Sequence, residues 1–347
     1  MQTRALGATG LRVPALSFGA MTFGGSGSDF FRPIGATELD EATRMVDLCL
    51  DAGVTLFDTA DVYSDGASEE ILGRAIGSRR PDVLLATKLH GRTGEGPNDV
   101  GASRHHVVRA CEASLRRLGT DWIDLYQLHS FDGETPLEET LRALDDLVRQ
   151  GKVRYVGCSN LSAWHVMKAL GVAERERLER FASMQVYYSA AARDVEYELV
   201  PLALDQALGM LVWSPLSGGL LTGKFRRGAA GPAESRRAMM GRSPGIADEG
   251  RAFDVVEALS EVAAERGVSV AQAALNWLLR RPGVTSLIVG ARTPEQLADN
   301  LAAARWEMSD EEVARVAAAG ARPAPYPQWH QRLYNSERMS EPWMSEA

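Results

Sequence analysis

Cysteine is scarce: Cys49, Cys111 and Cys158 are the only three in 347 residues. An odd number this widely spaced suits neither a disulfide framework nor a zinc site, and reads as packed hydrophobes in a reducing compartment. Apolar runs long enough to span a bilayer are lacking, and Met1 to Gly7 lacks the apolar core of a signal peptide, so a cytoplasmic protein without a membrane span is expected. A surplus of positive charge is lacking too. The formal net charge is −8, and Lys and Arg scatter between acids without forming a stripe, which argues against a nucleic-acid partner. What remains is ordinary for a folded chain, 45% apolar and 24% charged, enough for one large barrel or two modest domains. Nothing in the pattern specifies an oligomer.

Short β-branched or apolar runs alternate with amphipathic segments from end to end. A hairpin is expected from Thr3–Leu6 into Leu11–Val13, followed by strands at Ala15–Phe18, Thr55–Asp58, Val83–Lys88, Ile123–His129, Val153–Ser159, Ser183–Val186, Met210–Trp213 and Ser286–Val289. Helical spacing marks Thr37–Ala52, with Thr37 as its cap, and His106–Leu118, Leu137–Arg149, Phe253–Arg266 and Pro294–Ala304. Eight strands alternating with helices predict an α/β fold, a closed (β/α)8 TIM barrel behind an N-terminal β-hairpin. No composition shift divides 1–347, so a single barrel domain is expected. Three long stretches, Met21–Ala36, Leu89–Ala102 and Thr222–Gly250, each follow the C-terminal end of a strand. Long loops at the C-terminal face are where such barrels keep their chemistry.

Four polar residues fall at that face: Asp58, Lys88 and His129 end successive strands, and Tyr63 lies one turn past Asp58. A tyrosine with its usual pKa of about 10 is a poor proton donor at neutral pH and needs help from neighbouring charge. Lys88 is expected to stabilise the phenolate and lower that pKa, Asp58 to keep the lysine charged, and His129 to orient a carbonyl oxygen. The combination suits carbonyl reduction. Taken singly, each residue has a plainer reading as a rim charge, a hydrogen-bonded core histidine or a turn cap.

The motifs carrying these residues resemble those of the aldo-keto reductase family, in the bacterial branch similar to potassium-channel beta subunits. Phe57–Ser64 with Glu69–Gly73, Ala86–Lys88, Leu115–His129 and Gly151–Asn160 are similar to its acid and tyrosine segment, its lysine strand, its histidine strand and its fifth barrel strand. The resemblance implies a barrel that reduces an aldehyde or ketone with a nicotinamide cofactor, Tyr63 donating the proton and Asp58, Lys88 and His129 completing a tetrad. It further implies that Ser159, Asn160 and Gln185 hold the nicotinamide amide and that Trp213 stacks on the ring. Ser214, Leu216, Gly218 and Lys224 would then wrap the pyrophosphate, and Gly290, Arg292, Gln296 and Asn300 take the adenosine end. Arg292 favours NADPH, with NADH as a weaker alternative because Gly290 and Ala291 stand where other branches carry Lys and Ser.

Gly218 to Lys224 approaches a nucleotide P-loop, but Phe225 replaces the magnesium-binding hydroxyl, so that reading is rejected. Two rival functions stay open: a non-catalytic nicotinamide-binding regulatory subunit, and a barrel aldolase forming a Schiff base on Lys88. For a small-molecule carbonyl substrate, the pocket is expected from Thr22 and Phe23, Leu89 and His90, Phe131, and Trp329 in a C-terminal tail (323–347) covering the mouth.

Overall fold

The computed structural model describes the chain apart from residues 26, 28–30, 33, 230, 233–234, 236, 238–244 and 339–347. Parts of the first and third long stretches and the end of the tail therefore lie outside the described residues. The chain opens with an antiparallel hairpin, β1 (Thr3–Ala5) and β2 (Arg12–Pro14), with Thr3 opposite Pro14. It leaves β1 through Gly7 at φ 60, where a Cβ would stand 2.6 Å from the carbonyl oxygen of Ala207 and 2.7 Å from the backbone nitrogen of Gly209. Only glycine fits there.

Eight strands follow: β3 (Leu16–Gly19), β4 (Leu56–Asp58), β5 (Leu84–Leu89), β6 (Ile123–Leu128), β7 (Val153–Ser159), β8 (Ser183–Tyr187), β9 (Gly209–Trp213) and β10 (Val284–Val289). They pair in parallel and close in the order β10-β3-β4-β5-β6-β7-β8-β9, the barrel expected from the sequence. Nearly every strand residue is buried, because alternate side chains face the barrel interior and the surrounding helices.

The helices are α1 (Leu39–Asp51), α2 (Ala67–Ile76), α3 (Arg104–Leu118), α4 (Leu137–Arg149), α5 (Ala163–Glu176) and α6 (Val195–Asp205). After β9 come α7 (Glu249–Arg266) and α8 (Val270–Leu279), and after β10 come α9 (Pro294–Ala302), α10 (Asp310–Ala319) and α11 (Gln328–Tyr334). In α4, Leu137, Leu141, Leu144 and Leu147 recur at three and four residues and form one buried face. Ser103 caps α3 by accepting from the His106 N–H, and Gly119 at φ 62 ends it. Thr37 does not cap α1. It is buried in a bridge with Phe23, its N–H donating to the Thr22 carbonyl, and Glu38 takes the cap position without a side-chain bond.

The tail is anchored on the outer layer. Gln328 Nε2 donates to the Tyr197 carbonyl at 3.1 Å and to Glu198 at 2.7 Å, and Arg322 pairs with Asp194 at 2.6 Å, all at the start of α6. Among the described residues, no helix is long and apolar enough to cross a membrane.

Candidate active site

Period-two alternation decides which side chains enter the barrel. Leu56, Ala86 and Leu125 share one apolar interior cluster with Leu6 and Val13 of the hairpin segment, Leu211 and Ile288. Two residues further along β4, β5 and β6, the same inward register delivers Asp58, Lys88 and Gln127, and His129 follows Gln127 by two more. Tyr63 starts a short 3-10 turn beyond β4. Lys88, fully buried, donates from Nζ to Asp58 Oδ1 at 2.5 Å, to the Thr59 carbonyl at 2.8 Å and to Tyr63 Oη at 3.5 Å. The other Asp58 oxygen accepts from Gln185 at 2.8 Å and Gln127 at 3.1 Å. His129 meets Tyr63 edge-on, ring centres 5.7 Å apart. The four residues picked from the sequence thus converge at one rim.

Loss of water opposes the charge on Lys88, yet Asp58 and then Tyr63 outweigh it, and the ammonium's pKa is raised. Desolvation also raises the Tyr63 phenol, and Lys88 offsets only part of that rise. The expected lowering is therefore not met: the enclosure keeps Tyr63 protonated and Lys88 limits how hard its proton is to release. His129 is pushed down to about 3, first by burial and then by Lys88 and His90, so its imidazole is neutral at ordinary pH.

This rim opens onto a cavity of about 770 Å³. Asp58, Tyr63 and His129 line one part of it, with Met21, Thr22, Phe31, Ile34 and Val62. Ser159, Asn160, Gln185, Trp213, Ser214, Leu216, Gly218, Lys224, Gly290, Arg292, Gln296 and Asn300 all line the same space. The three amide-holding candidates are already engaged within the chain. Gln185 is bonded to Asp58; Ser159 donates to the Gln185 carbonyl at 3.0 Å; Asn160, at φ 57, donates to the His129 carbonyl at 2.9 Å and accepts from Trp213 Nε1 at 3.1 Å. After β9 the backbone turns through Ser217, Gly218 and Gly219, all at positive φ, and Ser214 Oγ accepts from the Gly218 N–H at 3.2 Å. A Cβ on Gly219 would stand 3.0 Å from Lys224 Nζ, so the bare backbone lets the cation lie against the turn.

Of the six pocket residues expected from the sequence, Thr22 alone lines the cavity. Phe23 is buried in the outer core with its ring 5.4 Å from that of Phe18. Leu89 extends β5 one residue past Lys88, so it faces the helices and joins the same core. His90 holds φ 122 and turns the chain away, its carbonyl accepting from Gly101. Phe131 stacks on His165 at 3.7 Å at the surface, and Trp329 is half exposed against Tyr326 and His330 on the tail.

Sequence reasoning passed over Gln127, Asp61 and the apolar wall of Phe31, Ile34 and Val62. Gln127 was within reach of the period-two register that ends at His129. Asp61 carried no such signal. It is 2% exposed, and among the described residues no side chain donates to either carboxylate oxygen. Burial pushes it up to about 8, Glu69 adding to the rise and Arg117, the neighbouring Val62 N–H and Lys88 opposing it.

Residues 15–321 match the family model described as the aldo/keto reductase family. The chain is 40% identical to a probable voltage-gated potassium channel subunit beta of Arabidopsis thaliana over 87% of its own length and 91% of that protein. It is 38% identical to the uncharacterized oxidoreductase YrpG of Bacillus subtilis, with 91% and 94% covered. It is 34% identical to the versiconal hemiacetal acetate reductase of Aspergillus parasiticus, with 90% and 95% covered. With a closed eight-stranded barrel, a buried acid and lysine beneath a tyrosine and histidine, and a family match over most of its length, the chain belongs to the aldo/keto reductase family and is an oxidoreductase by kinship.

Proposed function

We propose that the protein reduces an aldehyde or ketone to an alcohol using NADPH, with Tyr63 as proton donor. The observation that carries this reading is Lys88 bonded to both Asp58 and Tyr63 at the head of a cavity that continues to Arg292. The residues present fit a dinucleotide: a half-buried indole at Trp213, amides and a hydroxyl beside it, a glycine turn at positive φ, and cations at Lys224 and Arg292. Trp213 would face the nicotinamide, Lys224 the pyrophosphate and Arg292 a 2′-phosphate beside the start of α9, with Gln296 and Asn300 toward the adenine. A bound reduced nicotinamide supplies the hydride to the carbonyl carbon.

The chain's own residues supply the rest. Neutral His129 donates a hydrogen bond that orients the carbonyl oxygen and stabilises its developing charge. Tyr63 gives that oxygen its proton, and charged Lys88, held by Asp58, stabilises the phenolate left behind. Schiff-base chemistry on Lys88 is disfavoured, since it needs a neutral amine and Asp58 holds this one charged. The named likeness to channel beta subunits favours a second reading, a nicotinamide-binding regulatory subunit.

Fluorescence titration with NADPH and NADH, paired with steady-state reduction by the wild type and Tyr63→Phe, tests both. Expected are tighter binding of NADPH, unchanged cofactor affinity in the variant, and a loss of turnover of about 10³-fold. Full turnover by Tyr63→Phe sinks the proton-donor assignment. Cofactor binding without turnover of any carbonyl favours the regulatory reading.

A further inference from the structure

Asp61 lies between Asp58 and Tyr63 on the turn that leaves β4, and nothing in the reaction above uses it. Its backbone N–H donates to the Lys88 carbonyl at 3.2 Å, which ties the turn to the lysine strand. Its side chain is buried, and among the described residues no side chain donates to either oxygen. A buried carboxylate in that condition is costly, whereas the neutral acid loses far less on leaving water.

The surrounding charges do not rescue it. Glu69 on α2, fully buried, faces it, as do Arg117 on α3 and Lys88 on β5; Tyr126 on β6 and Tyr63 on the same turn also feel its charge. Both cations are committed elsewhere. Arg117 Nε donates to Glu69 at 2.7 Å, and Thr87 donates to the other Glu69 oxygen at 2.6 Å. Lys88 is held by Asp58. Two cations therefore face three buried carboxyl groups, and Asp61 is the one to which neither donates.

We propose that Asp61 is a positioning residue of the tetrad that works as a neutral carboxylic acid, keeping an extra negative charge away from Asp58, Lys88 and Tyr63. This rests on Tyr63 being the proton donor. Tyr63 must become a phenolate as the carbonyl oxygen is protonated, and an ionised Asp61 opposes that change. Its pKa of about 8 places the loss at mildly alkaline pH. Because this folded-state value lies above that of an unfolded aspartate, the group's contribution to stability is complete below about pH 4 and is lost progressively up to about pH 8.

The test compares the wild type with Asp61→Asn, which mimics the neutral acid, in kcat for benzaldehyde reduction at saturating NADPH and in melting temperature, both from pH 5 to 9. Wild-type kcat is expected to fall roughly three- to tenfold between pH 7 and 9, while the variant stays level over that range. The wild-type melting temperature should drop relative to the variant from pH 5 to 8 and run parallel to it above. Coincident kcat profiles overturn the proposal, and so does a melting-temperature difference that is constant from pH 5 to 8. If the variant does not fold, infrared spectroscopy of the wild type decides: a protonated carboxyl band that disappears between pH 7 and 9 supports the proposal, and its absence at pH 7 overturns it. Turnover absent in both proteins counts against the reductase reading, and the melting curves still report whether Asp61 is neutral.

Discussion

Leu56, Ala86 and Leu125 face into the barrel, and two residues further along the same three strands Asp58, Lys88 and Gln127 do the same. The lower layer is apolar and plugged by Leu6 and Val13; the upper one is a polar network in which one carboxylate receives an ammonium and two amides. Backbone geometry is common to both layers, so the difference lies wholly in side-chain chemistry. One layer stabilises by removing apolar area from water. The other gives up that stabilisation to hold charges in fixed positions where water is scarce, and every member must be bonded for the arrangement to persist.

The contrast breaks most severely at Lys88. Lys88→Met keeps the length of the aliphatic stem but leaves Asp58 buried with no cation. Reduction should fall by 10³-fold or more, and unfolding in urea should show a cost of about 3–5 kcal/mol, the usual penalty for stripping one partner from a buried pair. Two residues earlier on the neighbouring strand, Leu125→Ala should separate the layers. It removes buried methyl groups from the lower layer, at a residue 1% exposed in the folded chain, and should cost about 2–5 kcal/mol by urea denaturation. Turnover per folded molecule should stay within twofold of the wild type. A large fall in kcat for Leu125→Ala would mean that the two layers are mechanically coupled.

Both layers were readable in the sequence to different depths. The eight strands stood out because burial on both faces leaves short apolar runs, and Asp58, Lys88 and His129 stood out because they interrupt such runs at their ends. The side of the strand was harder to read. Leu89 looked like a pocket residue for following Lys88, yet one step along a strand reverses the face, and it packs against helices. Phe23 met the same fate where the chain leaves β3. Phe131 and Trp329 depend on where loops and the tail travel, which no local period encodes. Phe31, Ile34 and Val62 reach the cavity from irregular segments for the same reason. Asp58 and Asp61 look alike on the page, and only the fold gives one of them three side-chain donors and, among the described residues, the other none.

Gln127 sharpens the contrast at its smallest scale. Its amide nitrogen donates to the Asp58 oxygen that also accepts from Gln185, and Gln185 donates a second, longer bond of 3.3 Å to Gln127 Oε1. Gln127→Met would extend the apolar layer upward by one position at nearly constant volume. Because Gln185 still serves the same oxygen, the cost in stability should be only about 1 kcal/mol, less than a lone hydrogen bond to a charged group contributes. The catalytic effect should be separable from it. With one donor gone the carboxylate can turn about its own axis, Lys88 follows, and the already long 3.5 Å approach to Tyr63 loosens. A fall in kcat of about tenfold with KM unchanged is expected, and Gln127→Glu, which places a second acid against Asp58, should be worse at neutral pH and partly recover at lower pH as one carboxyl is protonated. Equal kcat in the wild type and Gln127→Met would show that Lys88 and Gln185 suffice to hold Asp58 in place and that Gln127 serves only to fill the barrel.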